Sequence, residues 1–110
     1  MKLFEKLKNL FKKDKSDKLL IYDAETELAF TMPAKEFYVW RINAWKYAND
    51  HDYMSLCELM ELIGLESAIW TQHMGWGPNN TFLGFSLDDR ILYGQGFKLL
   101  KFRNPPQIYS

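Results

Sequence analysis

One cysteine, Cys57, and two histidines, His51 and His73, are all that this 110-residue chain offers in thiols and imidazoles. A single thiol excludes an intrachain disulfide, so nothing points to a secreted, disulfide-stapled domain. The two histidines stand 22 positions apart and make no zinc-ligand spacing with Cys57, so no metal site is expected. Asp50, His51 and Asp52 read as the solvated end of a helix rather than as a metal set or a catalytic dyad. Long apolar runs are missing too. A bilayer-crossing helix needs about 20 apolar residues, and no signal-peptide core follows the first lysine, so the expectation is a cytoplasmic chain without a membrane span. Gly75-Trp76-Gly77 and Gly94-Gln95-Gly96 lack the third glycine, the helix and the lysine of phosphate cradles, and read as turns. There is no nucleophile elbow and no pair of carboxylates set in apolar surroundings. The expectation is therefore no enzyme, no cofactor and no small-molecule substrate.

Acidic residues are absent from the last 21 positions, and this uneven distribution hides behind a net charge of zero. Met1 to Lys18 carries seven lysines against three acids, net +4. Leu19 to Asp89 carries three basic residues against eleven acids, net −8, and Arg90 to Ser110 adds +4 from Arg90, Lys98, Lys101 and Arg103. A basic head and tail flanking an acidic body can complement each other within one molecule.

What the chain does have is apolar and aromatic mass: 47% hydrophobic residues, with four tryptophans. That argues against disorder and for one domain with a modest core. The clearest local signals lie between Met54 and Leu65. Ser55 and Glu58 form a capping box, with Met54 and Leu59 as a hydrophobic staple. Leu56, Leu59, Met60 and Ile63 share one face, and Gly64 followed by Leu65 supplies a Schellman stop. Ala34 to Asn49 predicts the longest helix, with Pro33 before it. Its Phe37, Trp40, Ala44, Tyr47 and Ala48 share a face, with Tyr38 and Trp45 beside it, so the pattern predicts a central helix contacted on several sides. Phe37, Trp40 and Ala44 should share a core with the capped helix.

Met1 to Lys13 reads as an amphipathic helix. Leu3, Phe4, Leu7, Leu10 and Phe11 form the stripe, while Lys6, Lys12 and Lys13, with Lys2 and Lys8, lie away from it. It could grip a partner's groove, lie on a membrane surface, or fold back on its own domain. Asp14 to Asp17 is a polar linker. Leu19–Tyr22 and Leu28–Thr31 suggest a short hairpin. Glu66 to Met74 predicts a third short helix with Ile69 and Trp70 inward. Thr81–Leu87 and Ile91–Tyr93 read as strands joined at Asp88-Asp89, Phe97–Arg103 as a third, and the tail after Pro105-Pro106 as irregular. The expected fold class is α+β. Central helices with a small C-terminal antiparallel sheet (residues 19–110) follow a basic amphipathic helix and linker (residues 1–18).

The order helix, capped helix, short helix, hairpin is also that of a winged helix. There Glu66 to Met74 would enter the major groove and present Ser67, Thr71, Gln72 and His73, supported by Arg90, Lys98 and Lys101 of the hairpin. Against this, the reading segment has no Lys or Arg and the helical body is acidic, whereas phosphate neutralisation supplies much of DNA affinity. Nucleic-acid binding is thus the alternative.

Trp40-Arg41-Ile42-Asn43-Ala44-Trp45, then Tyr53-Met54-Ser55-Leu56, Leu62-Ile63-Gly64-Leu65 and Gly75-Trp76 resemble small uncharacterised proteins of phages and integrated elements of Gram-positive bacteria. Those share an aromatic helix carrying an Asn, followed by a Ser-Leu-x-acid, Leu-Gly-Leu, Gly-Trp block. The resemblance covers about Met32 to Leu87. The chain departs from it at Cys57, where a small polar residue is the pattern, and at Thr71 to Met74, where an acid usually precedes the Gly-Trp. The resemblance implies a phage or mobile-element context without an activity. The functional expectation is a non-enzymatic interaction or structural module, attaching through its N-terminal helix or its aromatic surface. Its partner would be an unidentified protein or a second copy, with peripheral membrane contact as a further option.

Overall fold

A computed structural model of the chain describes residues 18–108. The expected N-terminal helix, Met1 to Lys13, lies outside the described residues. Two strands come first, β1 (Lys18–Asp23) and β2 (Leu28–Pro33), paired antiparallel from Lys18 opposite Pro33 to Asp23 opposite Leu28. Asp23 closes their turn by accepting hydrogen bonds from the backbone N–H groups of Glu25 (3.1 Å) and Thr26 (3.3 Å) and from the Thr26 hydroxyl (2.7 Å). The long helix α1 (Ala34–Asp50) follows directly. Then come β3 (Met54–Ser55), α2 (Leu56–Glu61), a 3-10 turn at Ile69–His73, β4 (Met74–Trp76), β5 (Phe85–Leu92), β6 (Gln95–Phe102) and β7 (Gln107–Ile108).

The strands form a four-stranded sheet in the order β2-β1-β6-β5 and a three-stranded one in the order β3-β4-β7. Within the larger sheet β1 runs parallel to β6, with Ile21 beside Lys98 and Tyr22 beside Leu99. The other pairs in both sheets are antiparallel.

This overturns the expected α+β layout of central helices with a small C-terminal sheet. Strands dominate, α1 is the one described helix of seven residues or more, and the N-terminal hairpin is built into the main sheet. The predicted third helix is a five-residue 3-10 turn, with Ile69 78% and Trp70 44% exposed rather than inward. With only these short helical pieces after α1, the three-helix order of a winged helix is not formed.

Gly75 and Trp76, expected in a turn, form β4 because the bare Cα of Gly75 lets β3 lie against it. A Cβ there would sit 2.1 Å from the Met54 carbonyl oxygen. Asp88-Asp89, expected to turn, stay inside β5 opposite Leu99 and Lys98. Lys101 and Arg90 flank Asp88 at 3.2 and 3.3 Å, and Lys98 pairs with Asp89, so cross-strand cations keep both acids in the strand. The chain turns at Tyr93-Gly94, one residue ahead of the expected Gly94-Gln95-Gly96 turn, whose Gln95 and Gly96 pair within β6. Both turn residues hold positive φ (51° and 75°), the two-residue geometry whose twist matches the strands. The tail does pair: Gln107 and Ile108 dock on β4.

One core joins these parts. α1 buries Phe37, Trp40 and Ala44, and α2 buries Leu56, Leu59 and Met60, with Ile63 packed against them. The inward side chains of the main sheet, Ile21, Phe30, Phe85 and Leu100, meet them. Trp40 stands 4.6 Å from Phe85 and 5.9 Å, edge-on, from Phe30, and its indole N–H donates to the Leu59 carbonyl at 3.0 Å. Trp76 carries the second sheet onto the same core through Phe82 (4.9 Å) and Phe102 (5.1 Å), and its N–H donates to the Asn104 carbonyl at 2.7 Å. The capping box of α2 is complete, with Ser55 Oγ accepting from the Glu58 N–H and Glu58 accepting from the Ser55 N–H, both at 3.0 Å.

Candidate interaction surface

Helix α1 has two apolar sides, and only one of them is buried. On the other, Tyr38, Ile42 and Trp45 recur at i, i+4 and i+7 and therefore stand in one row. They are 59%, 55% and 48% exposed, and Leu83, 45% exposed, stands across from them. Together with Arg41 and Lys46 these residues line a groove of about 440 Å³, floored by Phe85. This corrects the expectation that α1 is contacted on several sides. The core spans only one side of the helix, and the loop from Gly77 to Gly84 reaches its flank without covering it: Phe82 is buried, 6.4 Å from the Trp45 ring.

The electrostatics of this face have one sign. Lys35, Arg41 and Lys46, every cation of α1, border the row, whereas its acids Glu36 and Asp50 lie on other sides by helical spacing. Among the described residues none of the three cations forms an ion pair. Arg41 is held by packing, its guanidinium carbon 5.9 Å from the Phe37 ring centroid. Trp, Tyr and Arg are the residue types that most often dominate binding energy at protein interfaces, and Trp45, Tyr38 and Arg41 meet in one groove here.

The residues singled out for nucleic-acid reading are not gathered. Thr71 is fully buried, with its hydroxyl 2.7 Å from that of Ser67, while Gln72 and His73 are exposed on the 3-10 turn beside the second sheet. Arg90, Lys98 and Lys101 lie on β5 and β6 of the main sheet, each against Asp88 or Asp89. The stripe Leu3, Phe4, Leu7, Leu10 and Phe11, with Lys6, Lys12 and Lys13, lies outside the described residues.

Cys57 and His51 lie apart from this surface. Burial pushes the Cys57 thiol above its ordinary value, and its hydrogen bond to Glu61 adds to that. His51 stacks on Tyr47 at 3.9 Å, its Nδ1 2.9 Å from the Tyr47 carbonyl oxygen. Among the described residues no group of three His, Cys, Asp or Glu could hold a metal ion, and no helix is long and apolar enough to cross a membrane. The chain matches no protein-family model, no curated protein and no solved structure.

Proposed function

We propose that this protein is a non-enzymatic interaction module that docks through the outer face of α1. The observation that carries this reading is the exposed row Tyr38, Ile42, Trp45, faced by Leu83 and bordered by Lys35, Arg41 and Lys46, which have no ion-pair partner among the described residues. Single exposed apolar residues are ordinary, but a contiguous apolar groove rimmed by charge marks a contact surface. Its chemistry selects the occupant: a segment of another protein with an apolar stripe flanked by Asp and Glu, laid along the groove. The resemblance to small phage and mobile-element proteins suggests the bacterial host cytoplasm as the place to look for that partner.

Selection of a displayed random-peptide library on the full chain tests the reading. Enriched peptides should carry acidic residues around aliphatic or aromatic ones, and should bind less tightly as salt rises. Trp45→Ala and Ile42→Asp should each weaken the selected peptides about 30-fold, with the folded structure retained. Peptides indifferent to both substitutions would overturn the proposal. So would anionic vesicles or single-stranded nucleic acid that bind through this face while peptides do not.

A further inference from the structure

The main sheet has an apolar face turned away from the core. The core meets this sheet through its inward residues Ile21, Phe30, Phe85, Leu100 and Phe102, with the rings of Phe37, Trp40, Trp76 and Phe82 packed on the three phenylalanines. Alternation along each strand then turns Leu20, Tyr22, Phe97 and Leu99 to the opposite side. Pairing brings these four together on the two inner strands. Tyr22 stands beside Leu99, and two residues back along the parallel register Leu20 falls beside Phe97. All four are half-buried, and none belongs to the core cluster or packs against it. Parallel strand pairs such as β1 and β6 occur mainly where both faces of a sheet are covered, and a solvated sheet face alternates to polar residues. This one carries Leu, Tyr, Phe and Leu, with Thr31, Asp88 and Arg90 on the outer strands at the same level.

We propose that this face is covered by the chain's own N-terminal segment, through Leu3, Phe4, Leu7, Leu10 and Phe11. Three observations select that occupant. The segment joins the described chain at Lys18, the first residue of β1, only two residues before Leu20 and four before Tyr22. The linker Asp14 to Asp17 is four residues and reaches up to about 14 Å, about the width of four strands, so the stripe can come to lie over the two inner strands. The segment also supplies five large apolar side chains, while its lysines at positions 6, 8, 12 and 13 fall away from the stripe and stay in water. The outer groove of α1 is a different surface, so this inference stands or falls apart from the proposed function.

The test uses the full chain with a photo-crosslinking phenylalanine analogue replacing Leu7 or Phe11. Irradiation at low micromolar concentration should give intrachain adducts on the peptides holding Leu20, Tyr22, Phe97 and Leu99. Adducts confined to other parts of the chain, or joining two chains, would overturn the proposal, the latter assigning the face to a second copy. As an independent reading, the double variant Leu7→Asp, Phe11→Asp alters no described residue and should lower the Tm by about 5 °C or more. An unchanged Tm would also overturn it.

Discussion

Two carboxylates pull the pH dependence of stability in opposite directions. Burial pushes the fully buried Asp23 above the usual carboxylate range, and the hydrogen bonds from Thr26 and Glu25 only partly offset it. A raised folded value means that the folded chain binds this proton more tightly than the unfolded one. Its contribution to stability is therefore full below the unfolded value of about 3.9 and declines as pH rises toward the folded value. For Glu58, burial also pushes upward, but the hydrogen bonds from the Tyr47 hydroxyl and the Ser55 N–H outweigh it and leave the carboxyl below its ordinary range. That contribution is present above the unfolded value and is lost as pH falls through the folded one. Urea midpoints across pH 2 to 7 separate the two. Glu58→Gln, which keeps a side chain able to complete the capping box, should flatten the acid limb; Asp23→Asn should remove the decline above it. Trp40→Phe tests a neutral bond instead. It strands the buried Leu59 carbonyl and should cost about 1–3 kcal/mol, read as a lower urea midpoint with unchanged slope.

Among the elements, α2 is the one whose two ends are both made locally. Gly64 holds φ +76°, with Leu65 N–H bonded to the Met60 carbonyl (3.1 Å) and Gly64 N–H to that of Glu61 (2.9 Å). Nothing stands within 4 Å of where a Cβ would go, so a substitution there meets only backbone strain. Gly64→Asn should be mild and Gly64→Val severe, and thermal melts that rank them equally would show that the stop is not left-handed. Ser55→Ala should cost about 1 kcal/mol. These signals, with the apolar stripe of α1 and the N-terminal hairpin, were legible because each depends on neighbours in sequence. The rest depends on partners far along the chain. Asp88-Asp89 look like a turn until Lys98 and Lys101 are placed across the ladder, and Gly75 looks like one until β3 is laid against it. The outer groove was half legible. Apolar residues around more than half of α1 were visible, but whether Tyr38 and Trp45 were covered depended on where Leu83 and Phe82 came to rest. The cations interleaved with them, Lys35, Arg41 and Lys46, were the signal of an open side.

At the scale of the whole molecule, the main sheet is stitched from strands that lie far apart in sequence. β1 is an inner strand whose parallel neighbour β6 lies more than 70 residues later. Pairings between such distant segments slow folding, placing sheets of this kind toward the millisecond-to-second range. Refolding followed by tryptophan fluorescence should fall there. Moving the chain ends should change the rate more than Leu59→Ala does, which instead lowers stability by about 2–5 kcal/mol.

The parallel junction between β1 and β6 also sets a timetable for synthesis. The β1–β2 hairpin emerges from the ribosome first, and the edge of β1 that awaits β6 stays bare until β6, more than 70 residues later, has been made. Over that interval the nascent protein presents an unpaired strand flanked by aromatic residues, the form most prone to associate with its copies on a polysome. Any pause late in the message lengthens that exposure. A chain stopped after Leu92 should scatter light and sediment, whereas one stopped after Phe102 should stay in solution. Production of this protein should therefore respond to the speed of translation between the codons of Leu92 and Phe102 more than over those of the β1–β2 hairpin.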